Sequence, residues 1–195
     1  MRVIDISQEV LSCNVYGGDP TPRSEKIMDM KKGELYNLSV FSMCAHNGTH
    51  IDAPLHFIDN GRAVHEIPLD YFVGECFVAE ENGDIFKADA LRIIERAREL
   101  SAQKRILIKG KATVTEEAAH TFADAGVLLL GSESQSVGPL DSPMKVHQIL
   151  LSKNIVLLEG IVLKNVQEGR YILNSAPLNI EGIEGSPCRA ILIEE

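Results

Sequence analysis

The stretch Ala88-Asp-Ala-Leu91-Arg-Ile-Ile94-Glu-Arg-Ala97-Arg-Glu-Leu100-Ser101, followed by Ile106-Leu-Ile-Lys109, decides the reading of the fold. Leu91, Ile94, Ala97 and Leu100 recur every third residue among charges, which predicts an amphipathic helix. The short apolar run behind it predicts a strand. The same pairing recurs twice downstream. Thr115–Ala125 opens with a capping threonine and can end at Gly126, and Val127–Leu130 follows as a fully apolar strand. Ser142-Pro143 can open a third helix to about Asn154, with Val146, Ile149 and Leu150 on one face, ahead of the strand Ile155–Leu158. Three successive helix–strand pairs imply a parallel or mixed sheet with helices packed against it.

Working outward, the first part of the chain is β-rich. Val3–Ile6, Leu35–Cys44 and Tyr71–Glu80 are strand candidates. Residues 14–33 carry Gly17-Gly18-Asp19-Pro20 and Pro22 and predict a loop. The tail adds Ile172–Ser175 and Ala190–Ile193. The expectation is a single α/β domain over residues 1–195.

Hydrophobic residues make up 45% of the chain and charged residues 24%, enough to build a sizeable core. No apolar run reaches the ~20 residues that a membrane helix needs. The first residues lack the pattern of a signal peptide, so a cytoplasmic location is expected. The formal net charge of -9, with basic residues scattered, argues against nucleic acid or an anionic membrane as partner. Cys13, Cys44, Cys76 and Cys188 form no C-x-x-C pair, so reduced cysteines are expected, with Cys44 close enough to flank the histidines described next.

Three of six histidines fall within His46-Asn-Gly-Thr-His50-Ile-Asp52-Ala-Pro-Leu-His56. Imidazole and carboxylate are the usual ligands of a catalytic divalent ion. Gly48, Thr49 and Pro54 argue against a helical H-x-x-x-H site. A turn at Asn47-Gly48 leading into an extended segment fits better. In such a segment His50 and Asp52 project to one face, as would Pro54 and His56, with His46 folded back over the turn. Without a metal, burying this set would leave several polar groups needing partners. Glu159 ends the run Ile155-Val-Leu-Leu158, where a carboxylate is costly unless paired or bound to a cation. It either caps a strand and pairs with a basic residue, or meets His147, which the C-terminal half of the third helix could bring to it. His65 and His120 read as loop and surface residues.

The motif His46-x-Gly48-Thr49-His50-x-Asp52-x-Pro54-x-His56 resembles the signature of the cyclase family, which includes bacterial kynurenine formamidases and isatin hydrolases. Asp5-Ile-Ser7, Tyr16-Gly-Gly-Asp19-Pro20 and Gly185-Ser-Pro187-x-Arg189-Ala190 resemble further family segments, so the likeness spans nearly the whole chain. It implies an α/β fold of the swivelling β/β/α type and a homo-oligomer, a dimer or tetramer. It implies that His46, His50 and Asp52 bind a first metal, that Asp52 bridges to a second held by His147 and Glu159, and that His56 is the proton donor and acceptor. Zinc is the expected ion, one or two of them, with manganese as the alternative. Tyr16 falls at the substrate-contacting position, where formamidases often carry Trp. This chain has no Trp, and Glu133 stands where the family often has Asp.

The expected activity is hydrolysis of a small amide substrate, N-formylkynurenine first. Isatin-type ring opening, a metal-dependent lyase or cyclase, and a non-catalytic metal binder are the alternatives. A pure metal binder would have no use for His56.

Overall fold

The structure, a computed structural model, describes residues 1–194. In chain order the strands are β1 (Arg2–Asp5), β2 (Arg23–Met28), β3 (Leu38–Ser42), β4 (His50–Asp52), β5 (Val73–Glu80), β6 (Gly83–Ile85), β7 (Arg105–Lys109), β8 (Ala112–Val114), β9 (Leu129–Ser132), β10 (Val156–Glu159), β11 (Gly169–Asn174), β12 (Gly185–Pro187) and β13 (Ile191–Glu194). The helices are α1 (Lys87–Glu99), α2 (Glu116–Asp124) and α3 (Met144–Ser152).

Nine strands form one mixed, curled sheet in the order β1-β13-β11-β5-β7-β9-β10-β4-β12. Its centre, β5-β7-β9-β10, is parallel, and α1, α2 and α3 are the crossovers the helix–strand pairing required. Both faces of this centre are buried. Ile106, Ile108, Leu130 and Leu157 pack under the helices, whereas Leu107, Leu129, Val156 and Leu158 pack inside the curl against Ile51, Phe72, Leu173 and Leu192. Double-sided burial explains why these strands read as continuous apolar runs.

Local chemistry sets the helix ends. Thr115 Oγ1 accepts the Ala118 N–H at 3.3 Å at the start of α2, and Gly126, at φ +74°, follows its end. The buried face of α1 differs from the predicted one. Ala90, Ile93, Ile94 and Ala97 face the sheet, while Leu91 and Leu100 are exposed. Ile94 and Ala97 belong to both faces, so the buried stripe is the predicted one rotated toward Ala90 and Ile93, because apolar residues at 90, 91, 93 and 94 allow either stripe and only packing chooses between them.

Three other expectations are corrected. Residues 14–33 are not all loop, because β2 lies within them and pairs antiparallel with β3. That ribbon stands apart from the main sheet and exposes Ile27, Leu38, Val40 and Phe41; β3 lies within the predicted strand Leu35–Cys44, but no burial pattern marked β2. His56 does not continue the extended segment, since Pro54–His56 is a 3-10 turn. Pro54 at its first position supplies the fixed φ that starts such a turn. Finally, His147 lies in the N-terminal half of α3. A crossover helix runs antiparallel to the strand it precedes, so its N-terminal end comes level with the C-terminal end of β10.

Candidate metal centre

Strand pairing builds the site. β4 lies antiparallel between β10 and β12, with Glu159 opposite His50 and Leu157 opposite Asp52. Side chains alternate along β4, so His50 and Asp52 share the face that carries Glu159, and Ile51 turns into the curl. This is the helix-side face, over which α3 places His147. The turn at Asn47-Gly48 returns His46 to the same place. Gly48 adopts φ +64°, the left-handed region that favours glycine.

The five ligand-type residues meet around one carboxylate. Asp52 Oδ1 lies 2.7 Å from His46 Nδ1 and 3.4 Å from His50 Nε2, and Asp52 Oδ2 lies 3.5 Å from His147 Nε2. Glu159 Oε1 lies 3.2 Å from His147 Nε2 and accepts the Val137 N–H at 2.8 Å. Ligand atoms of His46, His50 and Asp52 fall within 4.8 Å of one another, as do those of Asp52, His147 and Glu159. Asp52 therefore belongs to two triads. Glu159 faces imidazoles, which answers the alternative left open by the sequence.

These residues fit a divalent cation. Asp52 is 1% exposed and Glu159 2%. Among the described residues neither has a Lys or Arg ion pair, and their ionic contacts are all to imidazoles. Buried carboxylates need cationic compensation, which protonated imidazoles supply in the metal-free protein and a bound cation would supply in their place. His50 and His147 donate Nδ1–H to the carbonyls of Gly48 (3.0 Å) and Pro143 (2.9 Å), which leaves each Nε2 aimed at the carboxylates. That tautomer control is the usual second layer of a metal site.

Charge balance follows the same geometry. Burial alone would raise the pKa of Asp52, but hydrogen bonds from His147, His46 and His50 hold it well below the usual range. Burial works against charging His46 and His147, yet the carboxylates outweigh it and raise them to about 9 and about 10. His56 goes the other way. Burial, reinforced by the neighbouring His46 and His147, lowers it to about 4, so it is neutral near pH 7. Its ring stacks on His46 at 4.1 Å between centroids and 25° between planes.

A cavity of about 340 Å³ opens onto these groups and is also lined by Tyr16, Asp19, Phe57, Gln135, Ser136 and Pro143. Tyr16 donates its hydroxyl to the Leu140 carbonyl at 2.7 Å, which fixes the ring at the cavity wall. The Cys44 thiol lies 3.7 Å from Asp19 and so does flank the site. His65 accepts the Gly182 N–H at 3.1 Å, and His120 is exposed on α2; neither takes part.

The sequence profile of the Cyclase family matches residues 4–139. The chain belongs to the cyclase family. This cyclase-family chain is 35% identical to a kynurenine formamidase of Salinibacter ruber, over 98% of its length and 97% of the relative's. A solved structure described as a "potential metal-dependent hydrolase with cyclase activity" superposes with a TM-score of 0.81 at 28% identity, covering 98% of this chain and 96% of that one. Isatin hydrolase A from Labrenzia aggregata shares the fold, with a TM-score of 0.84 at 21% identity over 100% and 94% of the two chains.

Several residues at this family's site escaped the sequence reading. Ser136 is buried, lines the cavity, and its Oγ has no hydrogen-bond partner among the described residues. Phe57 adds an aromatic ring 4.9 Å from that of His147. Glu184 Oε1 lies 3.2 Å from His46 Nε2. Phe57, beside His56, and Ser136, three residues after Glu133 in a segment compared with the family's, carried positional hints; Glu184 carried none.

Proposed function

We propose that this chain is a metal-dependent hydrolase of arylformamidase type, cleaving N-formylkynurenine or a similar aryl formamide to the amine and formate. The observation that carries the proposal is the shared Asp52, common to two triads of ligand atoms, with a neutral His56 stacked beside them. The near full-length likeness to a kynurenine formamidase supports the substrate class.

His46, His50 and Asp52 would hold a first ion, and Asp52, His147 and Glu159 would hold a second. Zinc is preferred and manganese is the alternative, since nitrogen and carboxylate donors suit both. Bound there, such ions supply Lewis acidity toward an amide carbonyl and toward water. His56 takes a proton from the water that attacks the carbonyl carbon and gives it to the nitrogen as the C–N bond breaks. Tyr16 and Phe57 present aromatic rings to an aryl substrate, a role that needs no tryptophan.

The proposal includes one domain over residues 1–195 and a cytoplasmic setting, which four free thiols favour. It also includes a homo-oligomer, dimer or tetramer, favoured by the exposed apolar ribbon of β2 and β3, because a two-stranded ribbon is marginal without a cover.

The test is metal analysis of the purified protein, followed by assay of N-formylkynurenine, isatin and simple amides with and without Zn²⁺ or Mn²⁺. Chelation should abolish hydrolysis of N-formylkynurenine and added metal restore it. Asp52→Ala should lose bound metal, and full occupancy in that variant would refute the shared-ligand assignment. A metal-loaded enzyme that opens isatin and spares N-formylkynurenine would refute the substrate.

A further inference from the structure

We infer that Glu184 is a positioning residue of the metal centre: it holds His46 with Nδ1 toward the ion and, through that ring, sets the surface on which His56 stacks. The inference rests on the metal reading above. His46 differs from the other two imidazoles of the site. His50 and His147 spend Nδ1–H on backbone carbonyls and aim Nε2 inward. His46 is reversed, with Nδ1 facing Asp52 at 2.7 Å and Nε2 facing outward to Glu184 Oε1 at 3.2 Å. An imidazole that ligates through Nδ1 must carry its proton on Nε2. Glu184 is the acceptor for that proton. A carboxylate in this position fixes the tautomer, locks the ring angle and makes the ligating nitrogen more basic.

The placement of Glu184 is built into the fold. Its carbonyl accepts the Ala53 N–H at 2.8 Å, so its backbone is tied to the residue after Asp52. The next residue, Gly185, pairs with Asp52 across β4 and β12. A Cβ on Gly185 would stand 2.5 Å from His46 Cε1 and 2.9 Å from Nε2. The bare backbone of β12 is therefore the bed on which the His46 ring lies, and Glu184 takes up its outward nitrogen. His56 stacks on that same ring. Turning His46 would remove both a ligand and the base's support.

The experiment measures Zn²⁺ affinity by chelator competition for wild type, E184A, E184Q, H46A and the double variant H46A/E184A, with thermal unfolding of each metal-free protein as the folding control. E184A should bind Zn²⁺ roughly 10–100-fold more weakly. E184Q keeps an oxygen that can accept the Nε2–H, so it should recover part of that loss. In the H46A background E184A should change affinity no further, because the effect runs through the ring. Affinity of E184A within about twofold of wild type, or the same penalty persisting without His46, would overturn the inference and leave the metal reading standing. Wild-type protein that binds neither Zn²⁺ nor Mn²⁺ would overturn both.

Discussion

His56 differs from its neighbours in having no carboxylate at hydrogen-bond distance among the described residues; the rings of His46, Phe57 and, further off, His147 lie against it. That is why burial keeps it neutral while His46 and His147 are held charged by Asp52. A neutral imidazole beside a site of ligands is placed to move a proton rather than to bind. His56→Ala should therefore lower turnover by ~10²–10⁴-fold, the usual worth of a positioned acid–base group, with bound metal unchanged. Steady-state rates together with metal content check this, and near-normal turnover on N-formylkynurenine would remove the role. At this scale the motif from His46 to His56 was legible, because ligand-type residues cluster within eleven positions. Glu184 was not. It lies 138 residues from His46, between glycines at 182 and 185, in a stretch with no pattern of its own.

Elements meet at Gly160, just past the end of β10. It adopts φ +66°, and a Cβ there would lie 2.2 Å from the Gly48 carbonyl oxygen and 2.1 Å from Gln135 Nε2. The glycine thus lets the strand carrying Glu159 pass against the turn carrying His46 and His50. Gln8 Nε2 and Thr49 Oγ1 both donate to the Gly160 carbonyl, which ties the strand end and the turn together. Gly160→Ala should cost at least ~1–2 kcal/mol for the left-handed backbone alone. In a chain of this size that corresponds to a melting temperature roughly 2–8 °C lower. Metal affinity should fall with it, since Gly48 must move. Calorimetry and metal titration of the variant check both, and an unchanged melting temperature would contradict the close approach. The three helix–strand pairs were legible because apolar periodicity is a local signal. Strand β2 and the 3-10 turn at His56 were not, since neither shows a regular buried face, whereas β3 falls inside the predicted strand Leu35–Cys44.

Across the whole molecule, the clustered charges link stability, metal and pH. In metal-free protein His46 and His147 rise from 6.5 to about 9 and about 10 on folding. The native state then holds more protons than the unfolded chain above pH 6.5. Their contribution to stability is complete below that pH and is lost as pH climbs through about 9 to 10. Metal reverses the trend, because a ligating imidazole must be deprotonated and binding releases protons. Raising the pH from 6 to 9 should therefore destabilise the metal-free protein and tighten Zn²⁺ binding. Thermal unfolding of metal-free and loaded protein across that range, with calorimetry in buffers of different ionisation enthalpy, tests the pair of trends. Parallel pH profiles for the two forms would refute it. Metal in excess should also raise the melting temperature in proportion to the logarithm of its concentration, as for any ligand of the native state.

By itself the sequence determined the α/β class, the three crossover helices and the presence of a ligand-rich segment with a spare histidine. Each of these is written in residues close together in the chain, where periodicity and composition act. The family resemblance already implied a shared Asp52 and a pairing of Glu159 with His147, which the residues alone left open; the tertiary structure supplies those contacts, and it alone decided that Glu184 reaches His46. Those are contacts between strands and helices far apart in sequence. They depend on sheet order and register, which the pairing of β10, β4 and β12 sets and no local pattern encodes.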